Sequence, residues 1–338
     1  MLVCINQSFR NENRGDGFQF YENLSGYKFF VGEMKNLQPA SGIVPYDLNT
    51  ALFSNYAEKL RFIKLPAGTK ATFNDTAVFS MPIGTILIKN FYYYSDFRKP
   101  ANGKKIIETR LLVHRDEGWA TYQYIWNEAQ TEAVFEPIGD VTSVSYIDAK
   151  GKKITAPYVI PNQNQCKGCH AQGNILLPIG LAARHINGDY DYATGKQNQL
   201  KYWEAHNMID LPAGKISSNA NWFDKKASVE SKARAYLDVN CGFCHSSKGP
   251  ANTSGLFLDI YNNNPTSLGI NKTPVAAGRG SGGLQFDIVP GNPSKSILIY
   301  RMTSTDPGIS MPEIGREQIH KEGVAVIGEW IKGLKADR

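Results

Sequence analysis

Two patterns of apolar residues divide this chain. From about residue 28 to 150, β-branched and aromatic runs follow one another, separated by short turn clusters. Gly84-Thr-Ile-Leu-Ile-Lys-Asn-Phe-Tyr-Tyr-Tyr94, Lys105-Ile-Ile-Glu-Thr-Arg-Leu-Leu-Val-His114 and Gly118-Trp-Ala-Thr-Tyr-Gln-Tyr-Ile-Trp126 predict strands, punctuated by Pro100-Ala-Asn-Gly103 and Asp116-Glu-Gly118. Thr131–Ile138 and Val141–Ile147 continue the series. Beyond residue 223 the spacing turns helical. Val229, Ala233, Tyr236 and Leu237 share one face, Ile297–Met302 is an apolar helical run, and Ile327, Trp330, Ile331 and Leu334 form a stripe on a helix after Glu317. The expected fold therefore has two domains: an N-terminal β-rich domain (antiparallel sheet, α+β) over 28–185, then an all-α domain over 224–338. Residues 1–27, polar and glycine-rich, read as a flexible lead-in, and 186–223, rich in Asn, Gly, Asp and Tyr, as a connector with little core of its own.

With 338 residues and 42% hydrophobic composition, two ordinary soluble domains are affordable. No apolar run approaches the ~20 residues that span a bilayer. The formal charge of +6 is modest and argues weakly for a nucleic-acid partner.

The chemistry lies in two short stretches, Cys166-Lys-Gly-Cys169-His170 and Cys241-Gly-Phe-Cys244-His245. Each sets two thiols three residues apart with an imidazole directly after the second. That is the spacing of covalent haem c: the cysteines form thioethers with the vinyl groups and the histidine binds iron. The competing reading is structural zinc. Zinc ribbons separate their Cys pairs by ~15–20 residues, whereas 71 residues lie between Cys169 and Cys241. Zinc also gives no reason for a histidine after both pairs. Two covalently bound haems carry about four propionates, which brings the charge near +2 and offers partners for Lys and Arg. Assembly of haem c outside the bacterial cytoplasm implies an exported protein, periplasmic or on the outer cell surface. The start Met1-Leu-Val-Cys4 is too short for a signal peptide, which points to a presequence removed or not included. Cys4 is a leftover thiol, or a lipid-bearing one that would tether the protein to a membrane.

Three resemblances add to this. Residues 224–338, with Asn240-Cys-Gly-Phe-Cys-His-Ser-Ser-Lys-Gly249 and Ser310-Met-Pro-Glu-Ile-Gly315, resemble a class I cytochrome c domain, in which a methionine of a Met-Pro loop is the sixth iron ligand. Met311 holds that position, and Met302 reads as core. Residues 45–172, with Met81-Pro-Ile-Gly-Thr-Ile-Leu-Ile-Lys89 ahead of the first motif, are similar to the cytochrome P460 and cytochrome c′-β group. The resemblance implies a haem contact for Lys89, where the bare strand pattern allows a solvent-facing lysine. Nearly the whole chain resembles an uncharacterised family of exported bacterial two-haem c-type cytochromes. The residues that carry this are Val44-Pro-Tyr-Asp-Leu-Asn-Thr-Ala-Leu-Phe-Ser-Asn-Tyr-Ala57, Arg61-Phe-Ile-Lys-Leu-Pro66, Ile107-Glu-Thr-Arg-Leu-Leu112 and Tyr124-Ile-Trp-Asn-Glu-Ala-Gln-Thr-Glu-Ala133. Arg61 and Arg110, within those segments, are candidates for propionate pairing or ordinary surface arginines.

The expected ligands are His170 for haem 1 and His245 with Met311 for haem 2. The sixth ligand of haem 1 is open among His185, His114, His206, Met34, Met81, Met208 and Lys89. A closed His/Met site suits electron transfer, so the leading expectation is an electron carrier between redox partner proteins, a donor dehydrogenase and a membrane or extracellular acceptor. An open, five-coordinate haem 1 would instead make the chain a P460-like or peroxide- or NO-handling oxidoreductase, or a ligand sensor.

Overall fold

The structure is a computed structural model that describes residues 17–173, 175–313 and 315–335. Cys4, and with it the question of lipidation, lies outside the described residues.

The strand-forming runs build one antiparallel meander, in order β1 (Ile43–Tyr46), β2 (Glu58–Lys64), β3 (Ile86–Tyr94), β4 (Lys104–Arg115), β5 (Gly118–Trp126) and β6 (Ala133–Phe135). Alternation sends Ile86, Ile88 and Tyr92 of β3 and Leu111 and Val113 of β4 to one face, where they pack with Leu24, Phe29 and Leu37. The other face is apolar at both ends. At one end Ile63, Leu87 and Leu112 meet Leu181, Leu200 and Trp203. At the other, Phe91, Tyr93 and Ile107 meet the hairpin of β7 (Asp140–Ile147) and β8 (Lys153–Ile160). Between the two ends the row is charged, and there the candidate site lies.

After β8 come α1 (Gln163–His170), the short pair β9 (Ala171–Gln172) and β10 (Ile175–Leu176), and α2 (Ala183–Ile186). The stretch expected to be a bare connector folds instead into a hairpin, β11 (Asp189–Tyr192) with β12 (Gly195–Asn198), and α3 (Gln199–Ala205). Its Trp203, Met208 and Ile209 are buried against the sheet. Likewise residues 17–27 are not a loose lead-in: Leu24 is buried, and Phe18 and Tyr27 stack at 5.9 Å on the sheet's first face. In both segments a few large aromatic and apolar residues outweigh a polar average, because burial acts on individual side chains.

The expected all-α C-terminal domain is not what the chain forms. Among the described residues of 224–335 the α-helices are three, α4 (Val229–Leu237), α5 (Ile297–Met302) and α6 (Lys321–Gly333), joined by long, mostly irregular segments. The described chain as a whole is β-rich, and this half bonds to Phe53 and Asn55 in the segment between β1 and β2. Glycine, proline and asparagine between residues 249 and 296 interrupt helix propagation. The local helical faces are as expected: Ala233, Tyr236 and Leu237 pack against Ile327, Trp330 and Ile331.

Buried asparagines tie the halves together. Asn240 accepts from Phe53 N (2.7 Å) and donates to Tyr236 O (3.0 Å). Asn55, 1% exposed and in the left-handed region at φ 51°, accepts at Oδ1 from Glu317 N (2.7 Å) and Gln318 N (3.0 Å). His320, at the head of α6, stacks on Phe53 at 4.2 Å, and its Nδ1 is hydrogen-bonded with Tyr236 Oη at 3.0 Å. Burial, outweighing the nearby Glu322, pushes the His320 pKa down to about 4.

Two outcomes follow. Asn55→Ala leaves two backbone N–H groups without a partner and is expected to cost about 1–3 kcal/mol in urea unfolding; a loss below about 0.5 kcal/mol, ordinary for surface changes, contradicts this role. His320 is neutral in the folded chain down to about pH 4, while an unfolded histidine takes up its proton near ~6.5. Stability should therefore be fullest above pH 6.5 and fall as pH drops toward 4, with His320 contributing at most ~3 kcal/mol. His320→Gln should make that decline shallower; an unchanged pH slope rejects the assignment.

Candidate functional site

The first motif rides on α1. Asn162 caps this helix, accepting from Gln165 N (2.8 Å) while Gln165 Oε1 accepts from Asn162 N (2.9 Å). Gln163 Nε2 donates to Thr121 O (2.9 Å) and fastens the helix to β5. Cys166, Cys169 and His170 fall at i, i+3 and i+4, so one helix face presents all three. They line a cavity of about 520 Å3 between the sheet and the C-terminal half, within the ~300–1,000 Å3 range of small-molecule and cofactor sites.

His170 is fixed in one tautomer. Its Nδ1 lies 2.8 Å from Leu177 O, and since a carbonyl only accepts, Nδ1 carries the proton. Burial holds the ring neutral down to about pH 4, with Lys89 and Arg110 adding to the effect of burial. Nε2 is thus the lone-pair nitrogen, the form in which an imidazole binds a metal.

Facing the motif is the charged row of the sheet. Arg61 pairs with Lys89, Lys89 with Arg110 and Arg110 with Gln123 across β2, β3, β4 and β5, and all four line the cavity. Two unit charges ~5 Å apart at an effective dielectric of 20 repel by on the order of 3 kcal/mol. Two of the three cations have anions. Arg110 donates to the buried Glu108 through Nε (2.8 Å) and Nη2 (2.5 Å), and Tyr158 Oη donates to the same carboxylate (2.7 Å). Arg61 pairs through Nη1 with Asp47, while its buried Nη2 has no partner among the described residues. Among the described residues no carboxylate pairs with Lys89, whose ammonium stands 4.9 Å from the Phe91 ring centroid. Burial, then Arg61, Arg110 and Lys59, hold its pKa well below the usual lysine value.

The second motif follows α4 through a widened turn, Asp238–Gly242. His245 N and Cys244 N both donate to Cys241 O (2.8 and 3.1 Å), closing the loop around the motif. Burial pushes the Cys241 and Cys244 thiols up to about 12 each; for Cys244, the first motif's Cys169 and then Glu313 push the same way. Gly242 and Phe243 line the same cavity as His170, as do Pro312 and Gly315 from the loop that carries Met311. Arg316 pins that loop by donating to Met302 O (2.5 Å) and Ser304 O (2.7 Å), and Met311 N donates to Arg301 O (3.2 Å). Met302 is core, 4% exposed.

A buried ion pair sets the two motifs against each other. Arg184, which closes α2 together with His185, donates to Asp238 through Nε (2.7 Å) and Nη2 (3.2 Å). Asn219 Nδ2 (2.8 Å) and Ile260 N (3.1 Å) complete the carboxylate's shell. Burial alone would raise the Asp238 carboxyl; His185, Arg184 and Asn219 outweigh it and hold it below the ordinary range. His185 Nε2 lies 3.4 Å from Asp238 Oδ2, yet burial keeps this ring neutral down to about pH 4, so the charge partner at neutral pH is Arg184. The His185 Nδ1 has no partner although the residue is only 3% exposed.

Of the sequence-nominated residues, the fold brings Cys166, Cys169, His170, His185, Lys89, Arg61 and Arg110 to one cavity; Cys241, Cys244, His245 and Met311 do not line it, although their neighbours Gly242, Phe243, Ser246 and Pro312 do. It does not bring the others. His114 stacks on Trp119 (4.6 Å) and donates to Met81 O (2.9 Å); His206 is exposed beside Tyr202; Met81 and Met208 are core, and Met34 packs against it. Lys89 is not a solvent-facing strand lysine. Sequence reasoning missed Arg184, Asp238 and Gln123, since nothing local distinguishes a clamp residue from a surface one. The proximity of Asp238 to Cys241 and of Arg184 to His185 was the available signal.

Among the described residues no three His, Cys, Asp or Glu side chains converge as a metal cage, and Cys166, Cys169, Cys241 and Cys244 form no disulfide. The four thiols therefore do not assemble the tetrahedral set of a structural zinc site. Paired thiols beside a neutral, oriented imidazole and a cofactor-sized cavity fit a covalently attached haem. No protein-family profile, curated protein or solved structure matches this chain.

Removing Arg184 (Arg184→Met) leaves a buried carboxylate unpaired and is expected to cost about 3–5 kcal/mol. Chemical denaturation measures it; a cost under 1 kcal/mol would show that the clamp is not needed to join the halves.

Proposed function

We propose that this protein is an exported di-haem c-type cytochrome that transfers electrons. One haem c is held by Cys166, Cys169 and His170, the other by Cys241, Cys244, His245 and Met311. The observation that carries this reading is the meeting of the two motifs: segments 71 residues apart both contribute lining residues to one cavity, Cys166, Cys169 and His170 from the first and Gly242 and Phe243 from the second. When bound, each haem supplies a one-electron iron couple. The chain does the rest. Leu177 O holds His170 with Nε2 free, His185 offers an unpartnered nitrogen as a further donor to the first group, and the Arg184–Asp238 pair keeps the two attachment sites in fixed relation. Fixed spacing suits electron exchange, which needs little rearrangement. Redox partner proteins in the periplasm or at the outer surface would deliver and remove the electrons.

Expression with a c-type maturation system and intact-mass measurement test the reading. Wild-type chain should carry two haem masses, and Cys166→Ala/Cys169→Ala and Cys241→Ala/Cys244→Ala should each carry one. Absence of both in the wild type sinks it. Met311→Ala should lower one midpoint potential, because thioether ligation raises it. His185→Phe should convert part of a low-spin oxidised spectrum to high-spin. If the wild-type spectrum is already high-spin and shifts with cyanide or nitric oxide, the carrier gives way to a haem oxidoreductase with an open first site.

A further inference from the structure

One loop stands at the edge of the cavity. Of the described residues that line the cavity, Thr76, Ala77, Ser247, Lys248 and Tyr261 are exposed, and the others are buried or half-buried. The first two belong to the loop between Phe73 and Val78; the other three follow the second motif. His245 O accepts from Leu258 N (2.7 Å), which ties the segment after that motif to the one that carries Tyr261. Tyr261 in turn bonds the loop, so the cavity meets solvent where the loop faces the C-terminal half.

The base of this loop is fixed and its tip is not. Thr72 and Ser80 exchange two backbone hydrogen bonds (2.8 and 3.1 Å), Phe79 N donates to Leu181 O (2.9 Å), and Ala71 and Phe79 are buried. Residues 74–77 are exposed throughout, and they keep their own shape because Asn74 Oδ1 accepts from Thr76 N (3.0 Å) and Ala77 N (2.7 Å). The tip is held from outside at its carbonyls. Tyr261 Oη donates to Asp75 O (3.0 Å) and Arg184 Nη1 to Thr76 O (2.8 Å), while the Arg184 guanidinium lies 5.1 Å from the Tyr261 ring centroid. A tip that buries no side chain and is held by exposed hydrogen bonds opens at small cost.

We propose that residues 74–77 are a lid on the cavity, latched shut by Tyr261, and that its opening admits small molecules to the wall that carries His170 and Lys89. Closed, the lid keeps solvent from that wall. Arg184 gives the lid a link to the rest of the molecule. Its Nε and Nη2 hold Asp238 and its Nη1 holds the lid, so one guanidinium ties lid position to the join of the two halves. The lid goes beyond the electron-transfer reading and does not depend on it, since it rests on the cavity alone.

The test uses the full chain as isolated after c-type maturation, with cyanate, a small reagent that carbamylates amines, as the probe. The rate at Lys89, which lines the cavity, reads entry; the rate at the exposed Lys153 is the control. Tyr261→Phe removes the latch hydroxyl and keeps the ring. It should raise both the Lys89 rate and hydrogen exchange in residues 73–78 by roughly two- to tenfold, the worth of one neutral hydrogen bond, with Lys153 unchanged. Replacing residues 74–77 by two glycines shortens the lid and should raise the Lys89 rate further. Equal Lys89 rates in wild type and Tyr261→Phe overturn the proposal. So does faster hydrogen exchange without faster carbamylation, because the loop is then latched but covers nothing. Where the shortened loop lowers the thermal melt, Tyr261→Phe alone decides. Intact mass reports the haems separately, so the lid and the cytochrome reading fail independently.

Discussion

The bidentate pair between Arg184 and Asp238 is the contact on which the candidate site depends. Arg184 comes from the short helix that follows the first motif, Asp238 from the turn that delivers the second. Asp238 is almost completely buried and accepts from Arg184, Asn219 and the Ile260 backbone, so its charge is solvated by protein rather than water. Such a pair adds little net stability over an apolar replacement, because desolvation offsets most of the attraction. Its effect is positional: an unpaired charge on either side would be so costly that only one relative placement of the halves is tolerated.

That placement turns a sheet face into a cavity wall. Without the C-terminal half, the row Arg61–Lys89–Arg110 would lie against α1 with one side open to water, where screening makes clustered cations harmless. Asp238, Val239, Gly242, Phe243, Pro312 and Gly315 line the same cavity as the row, which is thereby a concentration of positive charge inside a pocket. Burial then holds His170 neutral and strips Lys89 of much of its basicity. Electrostatics and architecture meet here, since burial is the largest cause of both pKa shifts.

The join itself is polar. Asn55 and Asn240 satisfy backbone groups across it, and Phe53 and Tyr56 both contact the His320 ring. Asparagine does this well because a short side chain with both donor and acceptor can complete two orphan backbone groups at once. The same residue type in sequence raises loop and turn expectations, which is why 186–223, rich in Asn, Gly, Asp and Tyr, read as a connector, whereas the C-terminal half read as a helical domain from its apolar spacing. Period and composition see a residue's neighbours in the chain. They do not see that Asn55 caps the approach to α6 more than 260 positions later.

The sequence by itself determined the strands β3 to β5, whose alternating β-branched and aromatic residues need no distant partner to be recognised, and the buried faces of α4 and α6. It also determined the two Cys-x-x-Cys-His motifs, since their chemistry is set by covalent spacing alone. It singled out Lys89, Arg61 and Arg110 only as members of longer segments. Tertiary structure decided that these three stand side by side, that Arg61 Nη2 and His185 Nδ1 have no partner among the described residues, and that Gly242 and Phe243 of the second motif line the cavity of the first. It also decided against the all-α C-terminal domain. The physical reason is common to all of these: cross-strand register, burial and long-range ion pairing depend on which surfaces meet, and that is settled by the whole chain's packing rather than by any local run of residues.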